Sequence, residues 1–434
     1  MTHSSSIDRL PAGAPQSLGP ACWGHLRGPV HSPARTAGVN ALVQALQATR
    51  ARTLALMEAW QQAAPDLSVP LLPEINPPLW EWGHVAWFQE WWTVRNRQRH
   101  LGTRSPSSGE AFGPSLLPGA DALYNSSEVA HDSRWALALP DLAATRQYLA
   151  DVSQRSLANL QATQDSIDEA TDEALYFWWL VLQHEAMHNE AWVSMAQALG
   201  LALPLAQFGR ERVGADGLPH ASANAQDDKK DDEKDDAQAH MQIHVPAQVW
   251  ALGHPGHGFA FDNELGAHPV AVAAFDIDAS PVTWARYLPF VQATGHGLPP
   301  HLRCVNGHWQ VQSWGAWLPM DLHEPVVHVN AHDAQAWCQW AGRRLPLEAE
   351  WECAAHTPDF AWGQVWEWTA SAFAPYPGFE AHPYRDYSAP WWFDHRVLRG
   401  ASAATSAWVA DVRMRNFYLP GRRDIFAGFR SVSV

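Results

Sequence analysis

The chain has 434 residues and a formal net charge of −16, from 29 basic and 45 acidic side chains. That length suits about two or three globular units, and 47% hydrophobic against 17% charged residues excludes a fully disordered chain. The acidic balance argues against nucleic acid as a partner, which needs a basic face. No apolar run reaches the ~20 residues that cross a bilayer, so no membrane role is expected.

Residues 1–37, with Pro11, Pro15, Pro20, Pro29 and Pro33 and no periodicity, read as a flexible leader. No basic start followed by an apolar stretch marks an export signal there. The four cysteines show no CxxC spacing, which fits a reducing, cytoplasmic setting. Apolar spacing then predicts helices over about 38–60, over a stretch opening after Pro77-Pro78 and running through Trp91, over about 141–160 and over about 172–199. Gly200 follows the last as a C-cap. Residues 38–205 therefore read as a four-helix bundle. The run DDKKDDEKDD at 227–236 has no apolar residue and lacks the Gly and closing Glu of a calcium loop. Residues 206–243 read as an acidic, solvated linker. From 244 to 434 short apolar runs broken by Gly, Pro and Asn predict a loop-rich α+β domain held by aromatics.

Two excesses stand out, 23 histidines and 25 tryptophans. On the fourth helix, Gln183-His184-Glu185-Ala186-Met187-His188-Asn189-Glu190 places His184 and His188 four apart on one face, aimed at the bundle interior. The second helix adds His84, inside Trp82-Gly83-His84-Val85-Ala86-Trp87-Phe88. Three imidazoles from two helices suit iron, zinc or copper and leave positions open for substrate and oxygen. The HExxH spelling alone would suggest a zinc hydrolase with Glu185 as general base. The helical setting, without the sheet of such enzymes, speaks against it.

GHVAWF followed by HxxxHxE (His184, His188, Glu190) resembles the DinB-like bundle of the sulfoxide synthases of ergothioneine biosynthesis. The segments PVTWARYLPFVQATG, PVVHVNAHDAQAWCQWAGRRLPLEAEWECAA, GQVWEWTASAFAPYPGF and RNFYLPGRRDIFAGFR resemble the formylglycine-generating-enzyme-like (C-type-lectin-like) domain joined to it. No cysteine follows Cys353, so the copper–cysteine chemistry of the formylglycine-generating enzymes is not expected; Trp351, Trp366 and Trp368 read as the domain's apolar skeleton. The resemblance implies a two-domain, oxygen-dependent enzyme in which His84, His184 and His188 hold Fe(2+). It further implies coupling of a chalcogen donor to C2 of the imidazole of hercynine, a trimethylated histidine betaine. Asn416 and Phe417 match residues that contact hercynine in the family. A tyrosine of the C-terminal domain is expected to donate a proton, with Tyr376, Tyr384 and Tyr418 as candidates; Arg422, with Arg423, is a candidate for a substrate carboxylate.

Departures from the family bear on the donor. Where family members that take γ-glutamylcysteine carry two arginines, this chain has Ala130-His131-Asp132-Ser133-Arg134-Trp135. Arg134 matches one arginine, and the other position falls on His131 or Asp132. Met187 replaces a family Gln before the second metal histidine, and Tyr418 replaces an Asp. Losing an arginine removes charge-assisted bonds to a dicarboxylate. The pattern resembles the selenoneine synthase branch, which implies a neutral selenosugar (seleno-glucose) as donor and a C–Se bond. The alternative is an ergothioneine-type synthase forming a C–S bond with γ-glutamylcysteine or cysteine. A rival of another class is a non-catalytic binding module for a betaine or sugar.

Overall fold

Leu42, Leu46, Leu56 and Trp60 recur on one face of α1 (Val39–Ala63) and are buried. Pro78 opens α2 (Pro78–Gln89), where its missing N–H costs nothing. Leu149 and Val152 turn inward from α3 (Leu142–Ser166). Thr171 caps α4 (Asp172–Ala198) by accepting from Ala174 N, and Asp172 and Glu173 sit at its positive end. Gly200, with φ +65°, ends that helix in the left-handed conformation. α1 lies along α4 and α2 along α3, so the four expected helices form the N-terminal bundle.

In the computed structural model, the described residues are 26–166, 171–203, 212–213, 219–220, 241–406 and 408–434. Among them, α2 runs into a π turn over Glu90–Arg95. Glu90 is fully buried there and accepts from Leu116 N, Ser115 Oγ and Tyr148 Oη at 2.5, 2.7 and 2.5 Å. The connection from α2 to α3 holds a further helical turn, Ala120–Tyr124, which periodicity alone does not reveal.

The C-terminal part is built from short strands, as its broken apolar runs predict. One sheet has the order Arg343–Arg344, Val432–Ser433, Phe275–Asp278, Gln242–Val245, all antiparallel. A second has the order Asn416–Tyr418, Arg396–Gly400, Trp366–Ala372, Ala427–Gly428, with only the last pair parallel. A meander of Leu302–Val305, His308–Ser313 and Ala316–Pro319 stands apart from both. Trp351, Trp366 and Trp368 are buried within this part. One apolar core runs from the bundle into it, joining Leu42, Trp92 and Phe177 to Phe259, Trp366 and Trp368.

Two expectations need correction. Residues 26–37 are not a loose leader; the reading for 1–25 lies outside the described residues. Leu26–Arg27 pairs with Ala361–Trp362, and Pro33, one of the prolines that suggested disorder, opens a short turn instead. Ser32 N donates to Asp411, while Arg35 forks onto Glu264 at 2.6 and 2.9 Å, both side chains buried. The segment thus ties the C-terminal part to the start of α1. Most of the proposed acidic linker lies outside the described residues, but Arg212–Val213 pairs with Pro219–His220 and Gln242 already belongs to a strand. Among the described residues no helix is long and apolar enough to cross a membrane.

Arg35→Met should leave Glu264 buried without its cation and lower unfolding free energy by about 3–5 kcal/mol in urea. Arg146→Met, which breaks an exposed pair with Glu58 at 3.6 Å, should cost less than about 1 kcal/mol in the same measurement.

Candidate metal centre

α2 and α4 cross so that His84, His184 and His188 meet. One ring nitrogen from each lies within 4.8 Å of the other two. His184 and His188 present their Nε2 atoms to each other at 3.1 Å. His84 Nδ1 pairs with the Tyr124 carbonyl at 2.8 Å and His188 Nδ1 with Glu81 Oε1 at 2.6 Å. Both Nδ1 atoms being engaged outward, the Nε2 atoms are left for the centre.

This donor set fits a divalent transition metal. An ion ~2.1 Å from two nitrogens at a right angle sets them about 3 Å apart, which is the separation found between His184 and His188. Burial, then the neighbouring His188, pushes the His84 pKa down to about 3. Burial drives His184 well below the usual histidine range. Neutral imidazoles with outward-facing partners are what a metal requires.

The second layer comes from residues that the motif reading did not single out. Glu81 is 1% exposed, yet His188 and His84 beside it hold its carboxyl below the usual range against the cost of burial. Its position three before His84, as the one charge in an otherwise apolar stretch, is a signal that sequence could have supplied. Gly83 lets the Tyr124 ring close on α2: a Cβ there would meet that ring at 2.2 Å. Tyr124 thereby brings its carbonyl to His84. Phe88 stacks on His184 with centroids 3.6 Å apart and planes at 6°.

Glu185 faces elsewhere. Arg50 forks onto it at 2.7 and 2.9 Å and Thr53 Oγ1 donates to it at 2.6 Å. A carboxylate so engaged is no free general base, which removes the physical case for a zinc hydrolase. Glu190, the last residue of HxxxHxE, accepts from Trp366 Nε1, Ser402 Oγ and Thr405 Oγ1 at 2.8, 2.5 and 2.7 Å. It fastens α4 to the C-terminal part, as does Gln183 Nε2 on the Trp408 carbonyl at 2.6 Å.

The other sequence-selected residues divide. Tyr384 meets Phe88 edge-on at 4.8 Å and His184 at 6.2 Å, and burial pushes its phenol pKa up. Among the described residues its hydroxyl has no hydrogen-bond partner. Tyr418 lies under Arg422 at 5.1 Å, with its phenol pushed up to about 12 by burial. Tyr376 belongs to a different cluster, donating to Glu348 at 3.2 Å with Arg415 over its ring at 3.9 Å. Asn416 and Tyr418 alternate with Phe417 along one strand, so Phe417 takes the opposite face and stacks on Phe373 at 4.0 Å. Asn416 Oδ1 accepts from Phe417 N at 2.9 Å. Met187 is half-buried against the core. Arg422 forks onto Asp424, both bonds at 2.6 Å. His131 Nε2 pairs with the Ile75 carbonyl at 2.8 Å, and Asp132 is exposed beside it.

With that geometry in hand, comparison with known proteins is informative. The chain is 32% identical to the hercynine oxygenase of Mycobacterium tuberculosis, over 89% of this chain and 96% of that protein. The chain belongs to the hercynine oxygenase family. It is also 28% identical to the hercynine oxygenase of Mycolicibacterium smegmatis, over 90% of this chain and 97% of that protein. The sulfatase-modifying factor enzyme 1-like domain matches residues 229–362. The formylglycine-generating enzyme of Streptomyces coelicolor is 34% identical over 27% of this chain and 49% of that protein. A helical N-terminal region joined to a sulfatase-modifying-factor-like, β-containing C-terminal domain is therefore the architecture of this chain.

Gly83→Ala should force Tyr124 off α2 and shift the carbonyl that pairs with His84. We expect a loss of about 1–3 kcal/mol in denaturant unfolding together with weaker metal uptake. Unchanged metal uptake would show that the Tyr124 carbonyl does not matter to His84.

Proposed function

We propose that this family member is an iron(II)- and oxygen-dependent synthase that joins C2 of the hercynine imidazole to the selenium of a neutral selenosugar. The observation that carries the metal part is the histidine trio, two of its members buried, with its outward partners. Hercynine and oxygen are suggested by the names of the relatives. Iron(II) held by the trio supplies the oxygen activation that no amino-acid side chain provides. The coupling would break the C2–H and Se–H bonds and form C–Se; dioxygen, as the four-electron oxidant, balances the reaction with one atom left on selenium as a selenoxide and the other released as water.

The chain's own groups then bind, orient and move a proton. The trio and the surrounding rings hold the reactants in one buried site, which lowers the entropic barrier of bringing them together. Tyr384 is the best-placed of the three tyrosines to donate a proton. Its ring faces His184 edge-on, its hydroxyl has no hydrogen-bond partner among the described residues, and burial pushes its pKa up, which keeps it protonated. Tyr376, by contrast, is bonded to Glu348. Asn416 stays the candidate for hercynine, whereas the stacking of Phe417 on Phe373 favours a supporting role for that ring.

The neutral donor is favoured by what surrounds the loop at 130–135. Arg134 is engaged by Asn76 Oδ1, the Val129 carbonyl and the Trp80 ring. His131 is fixed on Ile75, and Asp132 adds a negative charge. Among the described residues this loop has no second arginine to complete a carboxylate fork.

The test is anaerobic iron loading followed by parallel assays of hercynine with seleno-glucose, γ-glutamylcysteine and cysteine, read by mass spectrometry. The selenosugar should give the highest kcat/KM; comparable or better coupling of γ-glutamylcysteine would assign the ergothioneine-type reaction instead. Hercynine binding without oxygen uptake on any donor would leave a binding module. Tyr384→Phe should lower kcat by about 10²- to 10⁴-fold at unchanged iron content, while Tyr376→Phe should mainly lower stability.

A further inference from the structure

The guanidinium carbon of Arg134 lies 3.7 Å from the centre of the Trp80 ring. That same indole stacks on His84, with centroids 5.0 Å apart and planes at 7°. Trp80 is itself pinned, its Nε1 donating to the Leu123 carbonyl at 2.7 Å. Arg134 is pinned too: Nη1 donates to Asn76 Oδ1 at 2.7 Å and Nη2 to the Val129 carbonyl at 3.3 Å. A chain of contacts thus runs from a fixed cation, through a fixed indole, to the plane of one imidazole of the trio.

We infer that Arg134 is a positioning residue of the histidine trio rather than a clamp for a substrate anion. Through Trp80 it sets the plane of His84. The inference rests on the trio being the metal centre proposed above. It gives a reason for one arginine to persist in a loop that lacks the second.

The test uses full-length protein titrated anaerobically with cobalt(II), followed by its visible absorption spectrum, alongside steady-state KM values after iron loading. Arg134→Met keeps the apolar stem over the indole and removes the charge and planar fork. It should weaken cobalt binding by about 10- to 100-fold, as loss of an outer partner does, and alter the spectrum. Arg134→Lys, which retains the charge but not the stacked plane, should fall between Met and wild type; it decides the matter if the Met variant does not fold. Wild-type affinity and spectrum in both variants, with a raised KM for anionic thiol donors, would overturn the inference and restore the clamp. Wild-type protein that binds no cobalt would overturn it together with the metal reading beneath it.

Discussion

Three imidazoles brought face to face, two of them buried, form the constraint on which the rest of the structure depends. Burying His84 and His184 removes water from their nitrogens, and the 3.1 Å approach of His188 to His184 returns little. The fold meets that cost from outside the trio, with the Tyr124 carbonyl behind His84 and the Glu81 carboxylate behind His188. Each of those partners needs support of its own. Tyr124 can close on α2 only because residue 83 has no side chain, and against the cost of burial the Glu81 carboxyl is held below its usual range by His188, His84 and Arg134 beside it.

The C-terminal part holds the helix that carries two of the three histidines. Glu190 and Gln183, flanking His184 and His188 in sequence, each bond to residues between 366 and 408. Tyr384 comes from the same part and lies against Phe88 and His184. The segment 26–37 closes the arrangement through the buried Arg35–Glu264 fork. The candidate site draws its three imidazoles from one half and part of its wall, Tyr384, from the other.

How much of this was legible in the chain depends on the range of the interactions. The helices that carry the histidines follow from 3.6-residue periodicity, and the His184/His188 pair from i, i+4 spacing, because both are local rules. That His84 joins them is a non-local fact, suggested by its aromatic helix and by the family resemblance rather than by spacing. Glu81 was within reach as a buried charge on the same helix face. The role of Gly83 was not, since the ring it accommodates belongs to Tyr124, far along the chain. Prolines 29 and 33 misled because a proline that starts a turn and one that interrupts order look alike without the partner strand, here Ala361–Trp362. The reading of Glu185 as a base, already disfavoured in sequence by the helical setting, loses its physical ground in the fork with Arg50. Among the tyrosines, sequence offered no ranking, and only the approach of Tyr384 to His184 separates them.

The central claim is that one cation is shared by the side chains of His84, His184 and His188. X-ray absorption on the anaerobically iron-loaded protein, compared with a His84→Ala variant, tests it most directly. The account predicts one iron per chain with scattering from three imidazoles, falling to two or to loss of the metal in the variant. Iron bound with the same imidazole scattering in both proteins, or no stoichiometric iron in the wild type, would contradict it.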